Sequence, residues 1–106
     1  MSMNDEILKR IVAAVTKSAP DSEIYLYGSR ARGDFEKISD WDLLILLNFD
    51  KISFSLETKL IDNLFDVELD TGEVISPIIY SKSEWDNKYS ITPLFDNIKK
   101  EGVRIK

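Results

Sequence analysis

Gly28, Ser29, Arg30 and Arg32 form a short run of residue types suited to binding a phosphate-like anion. Gly28 has no Cβ, so its backbone can adopt a positive φ and approach a ligand closely. If a helix begins at Ser29, its first backbone amides point outward toward the anion. Ser29 adds a hydroxyl donor, and the two arginines add permanently charged guanidinium groups. This stretch therefore predicts an anion-binding turn.

Asp40 and Asp42 form a second candidate site, at the start of an apolar run that ends at Leu47. Residues two apart in a strand point to the same face, with Cα atoms about 6.6 Å apart. Two carboxylates at this spacing can converge on hard cations such as Mg²⁺ or Mn²⁺. Asp42 lies inside an apolar strand, where an unpaired carboxylate is costly, and this favours a bound cation.

Each motif has a simpler explanation when it is taken alone. Glycine turns are common, arginines are usually solvated surface charges, and Asp40 and Asp42 could be a loop residue and a cap. The two motifs occur together, however, in the order strand, turn, loop, strand. This joint pattern favours a positive site for a triphosphate beside a negative site for its metal ions.

The hydrophobic pattern indicates the elements that would hold these motifs in place. Trp41 to Leu47 is apolar on both faces apart from Asp42, which is typical of a strand at the centre of a sheet. Further strands are predicted over residues 24–27, 65–69 and 74–80. Helices are predicted over 5–18 and 53–64, around Trp85 and after Thr92. A helical turn is expected over 29–33 and a polar loop over 34–39. The expected helix caps are Asn4, Ser53, Ser81 or Ser83, and Thr92.

Residues 65–69 alternate between apolar and acidic side chains, as a strand with one buried face does. The following Thr71-Gly72-Glu73 sequence predicts a tight connection, so residues 74–80 are expected to pair antiparallel with 65–69 as a hairpin. Pro77 cannot donate a hydrogen bond to a neighbouring strand and is therefore expected at an edge or a bulge.

Length and composition limit the classes of protein that the chain can belong to. Its 106 residues are enough for one domain, predicted to span 1–106. It has no cysteine and no histidine, which excludes disulfides, thiolate metal sites and imidazole catalysis. The net charge of −5 argues against a general nucleic-acid surface. No apolar run is long enough to span a membrane, so a cytoplasmic protein is expected.

The two motifs together resemble a known family. Gly28-Ser29 followed by Asp40-Trp41-Asp42 resembles the signature of the nucleotidyltransferase superfamily with the polymerase-beta-like fold. The longer strings Gly-Ser-Arg-Ala-Arg-Gly-Asp and Ser-Asp-Trp-Asp-Leu-Leu are similar to those of its minimal prokaryotic members, which are often encoded beside HEPN-domain partners and serve in some cases as antitoxins. The resemblance implies an α+β fold with a mixed, mainly antiparallel sheet flanked by helices.

The resemblance also implies an activity: transfer of a nucleoside monophosphate, with AMP from ATP as the first candidate, to a hydroxyl of a partner protein or small molecule. Mg²⁺ or Mn²⁺ would be held by Asp40 and Asp42. Gly28 and Ser29 would hold phosphate oxygens, and Arg30 or Arg32 would neutralise the leaving group. The alternative is a binding module or antitoxin that neutralises a HEPN-type partner without turnover.

Members of this superfamily carry a third carboxylate on a later strand, which completes the metal site and helps to deprotonate the acceptor. By this resemblance Asp66 is the first candidate and Glu68 the second, because Asp66 is shorter and nearer the start of its predicted strand. The alternative for both is a solvated hairpin face. The acceptor, the base of the nucleotide and the oligomeric state stay open at this level.

Overall fold

Apolar stretches of alternating and helical period fold into a four-stranded sheet with helices on both faces. The computed structural model describes residues 3–33 and 40–106, so the predicted loop over 34–39 lies outside the described residues. The strands are β1 (Glu23–Tyr27), β2 (Trp41–Leu47), β3 (Ile75–Ser81) and β4 (Val103–Arg104); the helices are α1 (Met3–Ser18), α2 (Gly28–Arg32), α3 (Phe54–Thr71), α4 (Lys82–Asn87) and α5 (Pro93–Glu101).

The strand order in the sheet is β3-β2-β1-β4, so β2 lies inside the sheet, as its apolar sequence predicts. β1 pairs antiparallel with both β2 and β4, whereas β2 and β3 are parallel. The predicted α+β class with a mixed, mainly antiparallel sheet is therefore confirmed. Pro77 lies in β3, at the edge of the sheet, where its missing N–H costs least.

The two faces of β2 contact different helices. Trp41, Leu43, Ile45 and Leu47 belong to the main core, which also contains buried residues of α1 and α3. Leu44 and Leu46 pack on the other face, against Trp85 of α4 and Ile98 of α5. Because side chains alternate along a strand, Asp42 points to the face that carries α4 and α5.

The predicted strand over residues 65–69 is wrong, because α3 continues through this segment to Thr71. Leu60, Leu64 and Val67 are the buried residues of α3, and their spacing of four and three is that of a helix. Phe65 and Leu69 suggest an alternating pattern with Val67, but both are exposed. A helical segment with exposed apolar residues on its outer face thus imitates a strand in sequence.

The hairpin prediction fails with that strand. Gly72 ends α3 in the left-handed conformation, with its N–H donated to the Glu68 carbonyl. The chain then crosses to β3, which lies parallel to β2 instead of antiparallel to residues 65–69. The helix α3 is therefore the crossover connection between two parallel strands.

Three of the predicted helix caps are present. The side chains of Ser53, Ser81 and Thr92 accept hydrogen bonds from backbone N–H groups three residues later, each contributing about 1 kcal/mol. Asn4, the other predicted cap, lies inside α1. Within the described ranges no helix has both the length and the apolar content needed to cross a membrane.

Candidate active site

Gly28 is the point where β1 ends and α2 begins, and its backbone lies directly against Asp42. Its φ is +73°, so the positive φ predicted for this turn is confirmed. A Cβ built on Gly28 would overlap the Asp42 Oδ2 atom and lie 3.4 Å from Asp42 Cγ. Tyr27, the preceding residue, is the register partner of Asp42 in the β1–β2 pair. The glycine turn and the second carboxylate of the predicted metal site are therefore in contact.

Asp40 lies just before β2 and joins the same group of side chains. It is exposed, whereas Asp42 is half-buried. The Ser76 hydroxyl donates a hydrogen bond of 3.0 Å to Asp40 Oδ2. Ser76 is also the register partner of Asp42 on the parallel strand β3. Asp40, Asp42 and Ser76 thus form the oxygen-rich end of the sheet beside the Gly28 turn.

Burial raises the pKa of Asp42 above its usual value, and the nearby charge of Asp40 raises it further. Tyr27 shares this environment, since burial, followed by the Asp42 charge, raises the pKa of its hydroxyl. Both effects disfavour negative charge on Asp42. Carboxylate oxygens with this excess of negative charge fit a hard divalent cation such as Mg²⁺ or Mn²⁺.

Arg30 does not lie with this pair of carboxylates. Its side chain is only 4% exposed, and its guanidinium carbon lies 4.4 Å from the centre of the Trp41 ring. Arg30 also contacts Glu73 Oε2 at 3.5 Å, and Trp41 Nε1 donates to the same oxygen at 3.2 Å. Because Trp41 and Asp42 face opposite sides of β2, Arg30 fixes α2 to the sheet from the side away from the carboxylates.

The buried Arg30–Trp41–Glu73 group was not predicted from the sequence, and its role can be tested. We expect Glu73→Gln to destabilise the fold by about 1–3 kcal/mol, because it leaves the buried Arg30 guanidinium without this charged partner. Glu68→Gln makes the same chemical change on the partly exposed surface of α3 and should cost under about 0.5 kcal/mol. Urea denaturation of the two variants measures both values, and equal losses would contradict a supporting role for Glu73.

Arg32 lies on the opposite side of α2 from this buried group. Its Nη1 atom is 3.2 Å from Glu101 Oε2 in α5, the helix that packs on the same sheet face as Asp42. Both side chains of this pair are nearly half exposed. An exposed ion pair contributes about 0.2–1 kcal/mol, so the contact with Glu101 by itself holds the Arg32 guanidinium only weakly. Of the two arginines, Arg32 is better placed to reach a bound anion.

The predicted third carboxylate is not where the sequence interpretation put it. Asp66 and Glu68 lie on α3, which packs on the sheet face opposite Asp42. In the part of the chain that the structure describes, no group of three or more Asp, Glu, His or Cys side chains is placed to hold a metal ion. The assignment of Asp66 or Glu68 as a metal ligand depended on a strand that does not exist, and it is withdrawn.

The side chain of Ser76, on β3, points to the same face of the sheet as Asp42. Sequence reasoning missed it because residues 74–80 were expected to pair antiparallel with 65–69, whereas β3 pairs parallel with β2 and so brings Ser76 beside Asp42. The available signal was the apolar run after Gly72, which aligns with β2 in parallel register.

Residues 8–102 match the family model described as a nucleotidyltransferase domain. The chain is also 31% identical, over 92% of its length and 90% of the relative's, to a protein of Methanocaldococcus jannaschii named "Putative protein adenylyltransferase". Each motif of the candidate site falls inside the matched range, since Gly28 through Ser76 lie within residues 8–102.

Solved structures show the same fold at low sequence identity. The chain superimposes on one from a toxin–antitoxin crystallised with AMP-PNP, with a TM-score of 0.67, 17% identity, and coverage of 93% of this chain and 72% of that one. It also resembles a chain from the complex of tri-AMPylated Shewanella oneidensis HEPN toxin with MNT antitoxin, with a TM-score of 0.61, 14% identity, and coverage of 98% and 72%. The sequence match and the shared fold agree, and the chain belongs to the nucleotidyltransferase domain family.

Proposed function

We propose that this protein transfers a nucleoside monophosphate, AMP from ATP in the first instance, to a hydroxyl group in the cytoplasm, in a reaction that requires Mg²⁺ or Mn²⁺. The observation that carries the proposal is the contact between the Gly28 turn and Asp42, with Asp40 beside it. This contact puts a turn suited to phosphate next to carboxylates suited to the accompanying cation.

Each residue of the candidate site has a proposed role in the transfer. The Gly28 amide and the Ser29 hydroxyl would hold β- and γ-phosphate oxygens, and Arg32 would neutralise the pyrophosphate as it leaves. Asp40 and Asp42 would hold the divalent cation, which stabilises the charge on the attacking and leaving oxygens. The acceptor hydroxyl gives its proton to solvent and its oxygen bonds to the α-phosphorus, while the bond from that phosphorus to the bridging oxygen breaks and pyrophosphate leaves.

A partner protein is our preferred acceptor. The M. jannaschii relative is named as a protein adenylyltransferase, and the Shewanella complex contains an AMPylated HEPN toxin. These names support a hydroxyl on a HEPN-family partner, with tyrosine as the first candidate. A small-molecule hydroxyl is the alternative acceptor.

Ser76 favours a second candidate function, in which the chain binds nucleotide or partner without turnover. A serine hydroxyl is a weak metal ligand and a poor base at neutral pH, so Ser76 cannot do the work of a carboxylate on β3. In this alternative the domain acts as an antitoxin that neutralises a HEPN-type partner by binding alone.

One assay separates the two functions. ATP labelled at the α-phosphate is incubated with Mg²⁺, this protein and a candidate HEPN-family partner protein, and the products are resolved by gel and mass spectrometry. Label on the partner, with a mass increase of one AMP, supports transfer. Formation of a complex with bound ATP and no label supports the binding module, and failure to bind Mg-ATP contradicts the proposed site.

Replacing Ser76 gives a second test of the same site. We expect Ser76→Asp to place a third carboxylate beside Asp40 and Asp42, lowering the thermal stability of the metal-free protein by like-charge repulsion and raising Mn²⁺ affinity by about tenfold or more. Mn²⁺ should then restore the lost stability.

Ser83→Asp adds the same charge at an exposed position on α4 and serves as the control. It should change neither Mn²⁺ affinity nor the effect of Mn²⁺ on the melting temperature. Titration followed by electron paramagnetic resonance measures free Mn²⁺ directly. If Ser76→Asp binds Mn²⁺ no better than the wild type, Ser76 does not face the metal position.

A further inference from the structure

The outer surface of α3 exposes four large apolar side chains in one row. Phe54 is 85% exposed, Ile61 46%, Phe65 52% and Leu69 67%. They are spaced by seven, four and four residues, which at about 100° per residue puts them within roughly 80° of one another around the helix axis. The row extends for about 22 Å at about 1.5 Å per residue. These four residues are called the α3 stripe below.

The two hydrophobic clusters formed by residues 3–33 and 40–106 do not include the α3 stripe. The sheet is contacted by Leu60, Leu64 and Val67, which lie on another side of the helix. α1 lies beside α3, where Asn63 Nδ2 donates to the Ala14 carbonyl at 3.1 Å. Contiguous exposed apolar side chains of this kind are uncommon on a monomer and typically mark a surface that binds another molecule.

Acidic side chains flank the α3 stripe on both sides. Glu57 and Glu68 lie along one edge and Asp62 and Asp66 along the other, as their positions around a helix of about 3.6 residues per turn require. Lys59 is the single basic residue of α3. This rim repels nucleic acid and anionic lipid. A second copy of the chain would put acidic rim against acidic rim, so the charges favour a basic partner.

We propose that the α3 stripe is a docking surface for an amphipathic helix of a partner protein, whose apolar row is flanked by Lys and Arg. Residues spaced i, i+4 and i+7 are the usual anchors when two helices associate in this way. The surface lies on the sheet face opposite Asp42, so a helix docked there leaves the Asp40–Asp42 carboxylates accessible. The inference deepens the proposed function by naming the surface and chemistry of its protein partner, and it holds for either candidate function.

A pair of synthetic helical peptides tests the charge preference. Both carry leucines at heptad spacing; one has lysines at the flanking positions and the other has glutamates. The wild-type protein should bind the lysine peptide at least about tenfold more tightly than the glutamate peptide in fluorescence anisotropy. The double variant Asp62→Lys, Asp66→Lys should reduce or reverse this preference. Equal binding of both peptides, or of neither, would overturn the inference.

The apolar contact is tested with Phe65→Asp, set against Ile91→Asp as the matched control. Ile91 is 90% exposed and lies between α4 and α5, away from α3. Phe65→Asp should weaken binding of the lysine peptide by about tenfold or more, whereas Ile91→Asp should leave the affinity for this peptide unchanged. Equal losses in the two variants would show that the peptide binds elsewhere.

Two further measurements keep this inference separate from the proposed function. Mg-ATP affinity should be the same in Phe65→Asp as in the wild type, so a loss of peptide binding alone supports the docking surface. If neither peptide binds, or both bind equally, while Mg-ATP still binds, the docking surface is wrong and the proposed function stands. Sedimentation should show a monomer in both proteins; a wild-type dimer that Phe65→Asp dissociates would identify the occupant as a second copy and overturn the basic-partner assignment.

Discussion

Asp42→Asn is expected to weaken Mg²⁺-dependent ATP binding strongly while leaving the metal-free protein folded and more stable at neutral pH. The variant removes one of the two carboxylates available to the cation, so we expect Mg-ATP affinity to fall by at least about tenfold, or about 1.4 kcal/mol. Stability should rise because burial and the Asp40 charge both disfavour an ionised Asp42. Calorimetric titration and denaturant unfolding measure the two effects.

The stability gain should depend on pH in a defined direction. Because the pKa of Asp42 is raised in the folded state, this group binds more protons in the folded protein than in the unfolded chain as it titrates, and its contribution to stability falls as pH rises through that range. Asp42→Asn does not titrate there. Its advantage should therefore be present at neutral pH and vanish below about pH 4, where the carboxyl is protonated in both states.

Asp66→Asn is the control for this experiment. It also removes one carboxylate, but from the exposed surface of α3 on the opposite face of the sheet. Mg-ATP affinity should be unchanged in this variant. Equal affinity in Asp42→Asn and the wild type would show that Asp42 does not hold the cation, and a large loss in Asp66→Asn would show that the site extends to α3.

Local chemistry made much of the site predictable from sequence. Gly28 was predicted to be able to adopt a positive φ because it lacks a Cβ, and its φ is positive in the structure. Trp41 to Leu47 was predicted to be central because both faces are apolar, and β2 has a neighbour on each side. The serine and threonine caps were predicted correctly because each cap accepts a hydrogen bond from a backbone N–H in the first turn of its own helix, so it depends only on residues close in sequence.

Features that depend on contacts between distant parts of the chain were not predictable in this way. Phe65 and Leu69 produced the alternating pattern of a strand in the sequence, although they are exposed apolar residues on the outer surface of a helix and not part of the core. Because of that error, Asp66 was chosen as the expected third carboxylate. Ser76 was overlooked, since its position depends on the register between β3 and β2. The packing of Arg30 on Trp41 and Glu73 was not predicted, because it cannot be read from neighbouring residues in the sequence.

Gly28→Ala should be far more damaging than Gly72→Ala, although both glycines have nearly the same backbone conformation. Their φ values are +73° and +76°, so an alanine at either position carries the cost of a left-handed conformation, about 1–2 kcal/mol. Among the residues that the structure describes, a Cβ at Gly72 meets no atom within 4 Å, whereas a Cβ at Gly28 overlaps the Asp42 carboxylate. The difference between the variants therefore isolates the contact between the turn and Asp42.

We expect Gly28→Ala to lose more stability than Gly72→Ala and, at equal folded fraction, to bind Mg-ATP at least about tenfold more weakly, because Asp42 must move to admit the new methyl group. Urea denaturation sets the folded fraction, and calorimetry on the folded protein gives the affinity. Gly33→Ala, at φ +79° and with no atom of the described residues within 4 Å of the new Cβ, is a second control at the end of the same helical turn. If all three variants keep the same Mg-ATP affinity, the close approach at Gly28 serves the fold alone, and the phosphate must be held by residues other than this turn.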